Sequence, residues 1–209
     1  MYLTIQATNP DIINKIYSSG LTFAINPSGK KSDKGGISVT YPVFDNYMFH
    51  VNILHKPKIV PDSPASVLKA DSFMNVNNTL MTSKAKSIIV TGIKGVDTLI
   101  SVYNEEGIKA AALFDIQMVY TLEMGNPLKY LGFSAQVNIG SNPVIFSYHI
   151  LIHPLSGGMD NINYVYKWNP TFGKMVKTLD RPLNDDDFAR AMMMSSITDF
   201  LGEYTLAKK

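Results

Sequence analysis

The chain has no cysteine in its 209 residues. Disulfides, thiolate metal sites and cysteine nucleophiles are therefore excluded, while a reducing cytosol and an oxidising periplasm both remain open. Charge is scarce at 17%, and 19 basic residues against 17 acidic ones leave a net of only +2. Such a balance supplies no basic surface for nucleic acid or for an anionic membrane. No apolar run approaches the ~18 residues that read as a membrane-spanning helix. The opening MYLTIQATNP has no basic stretch followed by an apolar one, so no signal peptide is visible. Phosphate-cradling glycine loops and the G-x-S-x-G nucleophile turn are missing as well.

What is present suits a packed, strand-rich domain. Apolar residues make up 45% of the chain, and eleven tyrosines and ten phenylalanines stand against one tryptophan. Large aromatics favour strands, and the length suits one domain over residues 1–209. Period-two alternation predicts strands at Tyr2–Thr8, Leu21–Asn26, Ile37–Val43, Lys86–Gly92, Gln117–Met124 and Val144–His153. Further strands are expected at Phe133–Ile139 and Asn163–Trp168, with a weak one at Met175–Leu179. Thr98–Tyr103 and Ile108–Phe114 read as the two arms of a hairpin around Asn104-Glu105-Glu106-Gly107. Asn9-Pro10-Asp11 is a helix start, with a cap, proline in the first turn and an early carboxylate, and Gly20 can end that helix. Asn184 followed by Asp185, Asp186 and Asp187 starts a second helix, on which Phe188, Ala191, Met192, Ser195 and Phe200 are expected to form an apolar stripe. Val67–Ser83 has no strong period and reads as helical or as a buried irregular piece. The architecture expected is mainly β: an antiparallel β-sandwich with a short helix near the N-terminus and another near the C-terminus.

Two segments carry a resemblance. Tyr2-Leu3-Thr4-Ile5 through Ile25-Asn26-Pro27-Ser28-Gly29-Lys30-Lys31 resembles a strand, helix and strand pattern in bacterial secreted proteins of uncertain role. Asn104-Glu105-Glu106-Gly107-Ile108, followed by Met118–Glu123 and Pro127-Leu128, is similar to a later part of the same proteins. These look like the sandwich group that contains DOMON domains and family 9 carbohydrate-binding modules. The resemblance implies a non-catalytic binding module of an exported bacterial protein, periplasmic or secreted, with carbohydrate as ligand. Family 9 modules hold sugars between tryptophans, and Trp168 lies outside both matched segments, so sugar-contacting residues are not carried over. DOMON domains that bind haem use Met and His ligands. No Met–His pair is singled out here, and no cofactor is expected.

Candidate site residues must come from the chain's own pattern. Tyr164, Tyr166 and Trp168 share one strand face by period two, the spacing from which a flat sugar-stacking platform is built; core packing asks for the same spacing. His149 and His153 share a strand face but lie ~13 Å apart along it, too far for one ion, and His50 and His55 are expected on opposite faces. The Glu105-Glu106 and Asp185–Asp187 clusters do not face each other across the ~5–9 Å that glycoside hydrolysis needs. Lys30, Lys31 and Lys34 read as a solvated loop tip. Hence the expected site is Tyr164, Tyr166 and Trp168, with no catalytic or metal-binding residue named. The alternatives are a hydrolase with an unrecognised carboxylate site and a structural or assembly protein. A homodimer through an exposed edge at the N-terminal strand is a further expectation.

Overall fold

The chain enters as strand β1 (Tyr2–Ala7) and turns at Asn9 into helix α1 (Pro10–Ser19). Asn9 Oδ1 accepts from the backbone N–H of Asp11 and Ile12, at 2.8 and 3.3 Å, which satisfies two donors that the first helical turn leaves open. Gly20 ends the helix at φ +76, donating its N–H to Ile16 O. A side chain there would meet Thr40 and the carbonyl of Pro42 at about 3 Å, so conformation and space both require glycine. A computed structural model describes residues 1–30, 36–44, 60, 63–131, 145–154, 164–179, 182 and 184–205. For residues 164–166, 177 and 179 it describes the backbone alone.

Among the described residues, ten more strands and two more helices follow. These are β2 (Leu21–Asn26), β3 (Ile37–Val43), α2 (Pro64–Lys84), β4 (Ser87–Thr91), β5 (Leu99–Ser101), β6 (Lys109–Phe114), β7 (Tyr120–Gly125), β8 (Ile145–Ile152), β9 (Tyr164–Asn169), β10 (Lys174–Leu179), α3 (Asp185–Ser195) and β11 (Thr198–Thr205), which closes the order as a tenth addition to β1. Every described strand pair is antiparallel, and the fold is mainly β. The strands form a six-stranded sheet in the order β11-β8-β2-β3-β4-β5, a three-stranded sheet β1-β7-β6, and the two-stranded pair β9-β10.

The two larger sheets supply one core. Phe23, Ile25, Val39, Tyr41, Ile88, Val90 and Phe146 come from the six-stranded sheet, and Phe114, Tyr120, Leu122 and Met124 from the three-stranded one. Strand β2 is buried along its whole length. Its odd residues enter this core, while Thr22, Ala24 and Asn26 lie on the opposite face, as the period of two demands. On that face Thr22 Oγ1 bonds Thr40 Oγ1 and His153 Nε2, each at 2.6 Å, so the buried hydroxyls are satisfied.

Two expectations are corrected, and one reading left open is decided. Thr98–Tyr103 and Ile108–Phe114 are not two arms of one hairpin. β5 pairs with β4 in the large sheet and β6 pairs with β7 in the small one, so the Asn104 turn carries the chain between sheets. Asn104 secures it, donating to Ser101 O and Ile108 O and accepting from Ile108 N–H. Second, of the two readings open for Val67–Ser83 the helical one holds: 64–84 is a regular helix of 21 residues. Its most buried positions are Ser66, Ala70, Asn77 and the large apolar Met81, whereas Val67, Leu68 and Val76 are exposed. The inward face carries Phe73, Met74, Leu80 and Met81 onto the core, and the apolar residues on the outer face blur the amphipathic period in the sequence. Third, α3 stops at Ser195, and Phe200 belongs to strand β11 rather than to a helical stripe. The expected strand Phe133–Ile139 lies outside the described residues.

Helix α2 closes the free edge of β6. Asn78 Nδ2 donates to Phe114 O at 2.9 Å, and Phe114 N–H donates to Asn78 Oδ1 at 2.7 Å, a two-way bond to the backbone of a buried residue. Asn78→Ala leaves both backbone groups without these partners and should cost about 1–3 kcal/mol in urea unfolding; a loss below about 0.5 kcal/mol would show that the pair is dispensable.

Three phenols sit within the core. Burial, with the neighbouring Tyr103 adding to it, pushes Tyr41 up to about 12, and burial likewise raises Tyr17 and Tyr120. Tyr41 donates to Ala85 O, but the hydroxyls of Tyr17 and Tyr120 have no partner among the described residues. A phenol whose ionisation is delayed in the folded state keeps its full stability below its ordinary value of 10 and loses it as pH rises toward the folded value. Thermal stability should fall as pH passes from 10 to about 12. Tyr120→Phe should leave stability at neutral pH unchanged or slightly raised and flatten the alkaline decline; an unaltered alkaline slope would contradict this assignment.

Candidate functional site

The hairpin β9-β10 carries the chain's only tryptophan. Its register sets Trp168 against Met175, Tyr166 against Lys177 and Tyr164 against Leu179. In an antiparallel pair, opposed residues project to the same side, so Tyr164, Tyr166 and Trp168 lie at successive positions of one face. The expected strand and its period are thus present in the backbone.

The turn is built by Asn169. Its Oδ1 accepts from the N–H of Thr171 and Phe172, at 2.9 and 3.2 Å, while Gly173 takes φ +58. An Asn side chain that mimics a backbone turn is a common way to reverse a chain. Phe172 is held at the tip with 66% of its surface exposed, and Trp168 beside it is 62% exposed. Met175 is exposed as well, and Lys167 and Lys174 flank the group. The period of two thus has its open outcome at Trp168: the indole faces solvent and contributes nothing to the main core.

Other candidate groups are held in structural roles. His149 Nε2 meets Asp199 Oδ2 at 3.0 Å, and His153 belongs to the buried hydroxyl chain through Thr22. The two histidines therefore have separate partners, and no cluster of three metal-ligating side chains occurs among the described residues. His50, His55, Lys31 and Lys34 lie outside those residues. The Asp185–Asp187 run begins α3: Asn184 Oδ1 accepts from Asp187 N–H, and Asp187 returns a bond to Asn184 N–H, both at 2.9 Å. This reciprocal box gives the acidic run a helix-starting role.

Two concave sites were not anticipated from sequence. A cavity of about 240 Å³ lies between β1, β6 and β7, bordered by Tyr2, Gly107, Lys109, Gly125 and Asn126. The Tyr2 ring lies over Gly125, where a side chain would meet it at 2.8 Å. The Asn126 carboxamide beneath is buried, with no partner among the described residues. A smaller hollow is bordered by Asn26, Gly36, Ser147 and His149. Ser147 Oγ there donates to Lys30 O at 2.6 Å, so its proton is engaged by a carbonyl rather than by the histidine. Neither hollow is lined by a carboxylate, and neither brings together the paired acids of a glycosidase.

A second aromatic group also escaped the sequence reading. On one face of β8 and β11, Tyr148 packs with Phe200 and Phe146 with Tyr204, with ring centres 6.0 and 5.4 Å apart. Alternation within Val144–His153 signals half of it. The other half was obscured by assigning Phe200 to a helix.

Because Trp168 is the sole indole, it reports on its own surroundings. Its fluorescence should have the red-shifted emission of a water-exposed indole and be quenched efficiently by iodide in the native state. Blue-shifted, iodide-resistant emission would place the indole in a buried setting and remove it from the candidate site.

Compared with protein-family models, with curated proteins and with solved structures, the chain finds no match in any of the three.

Proposed function

We propose that this chain is a non-catalytic binding module with carbohydrate as its ligand, held on the β9-β10 hairpin. The observation that carries this reading is the open Trp168, set on a regular strand whose preceding face positions are Tyr166 and Tyr164. A sugar ring presents a face of C–H groups to an aromatic plane and hydroxyls at its rim. A flat indole beside exposed backbone and lysines serves both. The resemblance to exported bacterial proteins supports a periplasmic or secreted setting within the same reading. A second reading, an assembly protein without a small-molecule site, draws on the exposed apolar surface of β11.

Native affinity gels containing soluble β-glucans, xylans or mannans should retard the protein through at least one of these polymers. Trp168→Ala should weaken that retention by about tenfold or more, since tryptophan is among the residues that most often dominate a binding surface. Circular dichroism should remain unchanged. Absence of retardation across the panel would overturn the carbohydrate assignment, and full retention by Trp168→Ala would move the site elsewhere.

A further inference from the structure

Strand edges are guarded in most of this fold. β5 has only three residues, β6 is covered by α2 through Asn78, and the β9-β10 pair carries Lys167, Lys174 and Lys177. Short strands, covering helices and lysines are the usual means by which an edge avoids a new partner. β11 has none of them. It spans the eight residues Thr198–Thr205, contains neither proline nor lysine, and is the last strand of the six-stranded sheet. Among the described residues, no strand pairs with its outer side.

The face that β11 presents is also unfinished. Phe200 is 58% exposed and Tyr204 52%, although both project to the side of the sheet that elsewhere forms the core. Between them lies Gly202, opposite Tyr148. A side chain on Gly202 would meet the Tyr148 ring and hydroxyl at 2.5 Å, so the ring crosses the strand where the glycine leaves room. The aromatic surface therefore continues over β11 and stops at the open edge.

We propose that β11 pairs antiparallel with β11 of a second copy, in a register centred on Gly202. Opposed residues must project to the same side, so only pairings between two even-numbered or two odd-numbered residues are allowed. Centring on Leu201 sets Asp199 against Glu203 of the other copy, and centring on Glu203 sets that residue against itself. Like charges directly opposed are unfavourable. Centring on Gly202 sets Phe200 against Tyr204 twice, Leu201 against Glu203, and Asp199 against Thr205. It joins the aromatic surfaces of the two copies across the two-fold axis and leaves no directly opposed like charges. The self-complementary register is the reason for choosing a second copy over an unrelated strand, because one sequence satisfies both sides of the pairing. This edge also differs from the one expected at β1, whose exposed positions Tyr2, Thr4 and Gln6 are largely polar. The pairing is independent of the carbohydrate reading and places the sugar-binding hairpins in a two-fold pair.

Sedimentation equilibrium from micromolar to sub-millimolar protein should show a monomer–dimer equilibrium. Phe200→Lys combined with Tyr204→Lys sets lysine against lysine and should raise the dissociation constant at least tenfold, with circular dichroism unchanged because both side chains are more than half exposed. The cysteine-free chain allows the register to be read directly. A mixture of Leu201→Cys and Glu203→Cys should form a disulfide-linked heterodimer on mild oxidation in higher yield than a mixture of Asp199→Cys and Glu203→Cys. A monomer throughout the series, an unweakened dimer in the double lysine variant, or preferential linkage of the Asp199 and Glu203 positions would overturn the proposal.

Discussion

One buried ammonium joins the two ends of the chain. Lys15, inaccessible to solvent on α1, donates from Nζ to Met193 O at 2.9 Å, to Ser196 O at 2.5 Å and to Thr198 Oγ1 at 2.8 Å. These acceptors span the last turn of α3 and the first residue of β11. A lysine has three protons to donate, and a buried cation is tolerable only when its donors are satisfied. Burial pulls its pKa below the ordinary lysine value. The end of a helix, where carbonyls lack intrahelical partners and the helix dipole is negative, is a favourable place for such a charge. The ion pair between Arg190 and Asp11 adds a second link between the same helices.

This clamp sets where α3 stops and β11 starts, and much of the molecular surface follows from that. From Thr198 onward β11 runs beside β8 in unbroken register to Thr205. If the strand started one residue later, every side chain would change face. Phe200 and Tyr204 would then leave the aromatic surface, and Asp199 would lose its position beside His149. The aromatic face of β11 thus depends on a polar contact made by a residue more than 180 positions away in sequence.

The large sheet also separates packing from polarity. One face gives Phe23, Val39, Val90 and Phe146 to the shared core, and the other holds the chain Thr40, Thr22 and His153 together with Ser38 and Thr91, whose hydroxyls lie 2.7 Å apart. Polar groups there resemble a reactive site in composition, yet their hydrogen bonds are spent on one another and on backbone carbonyls. The hairpin β9-β10 has the opposite character. Its tryptophan is largely exposed and stands outside the shared core, and an exposed aromatic on a regular strand is better suited to recognition than a satisfied polar cluster.

Local chemistry was legible in the sequence wherever neighbours along the chain decide the outcome. Asn9-Pro10-Asp11 and Asn184–Asp187 identify helix starts because the capping groups lie within three residues of the backbone they satisfy. Alternation identifies β1, β2, β3 and β8 because residues two apart must share a strand face. The same rule places Tyr164, Tyr166 and Trp168 in one row. Tertiary structure alone decided which strands became partners, since backbone donors and acceptors carry no sequence label: β5 and β6 stand on either side of a plausible hairpin turn and join different sheets. It made 64–84 a helix by packing Phe73, Met74, Leu80 and Met81 on the core, a face that the apolar residues exposed on the other side hide in the sequence. It also left Trp168 in water while burying Tyr120, two aromatics on alternating strands whose fates depend on what packs above them. Sequence by itself determined which residues share a face; only packing across the fold determined whether that face would be an interior, an edge or a binding surface.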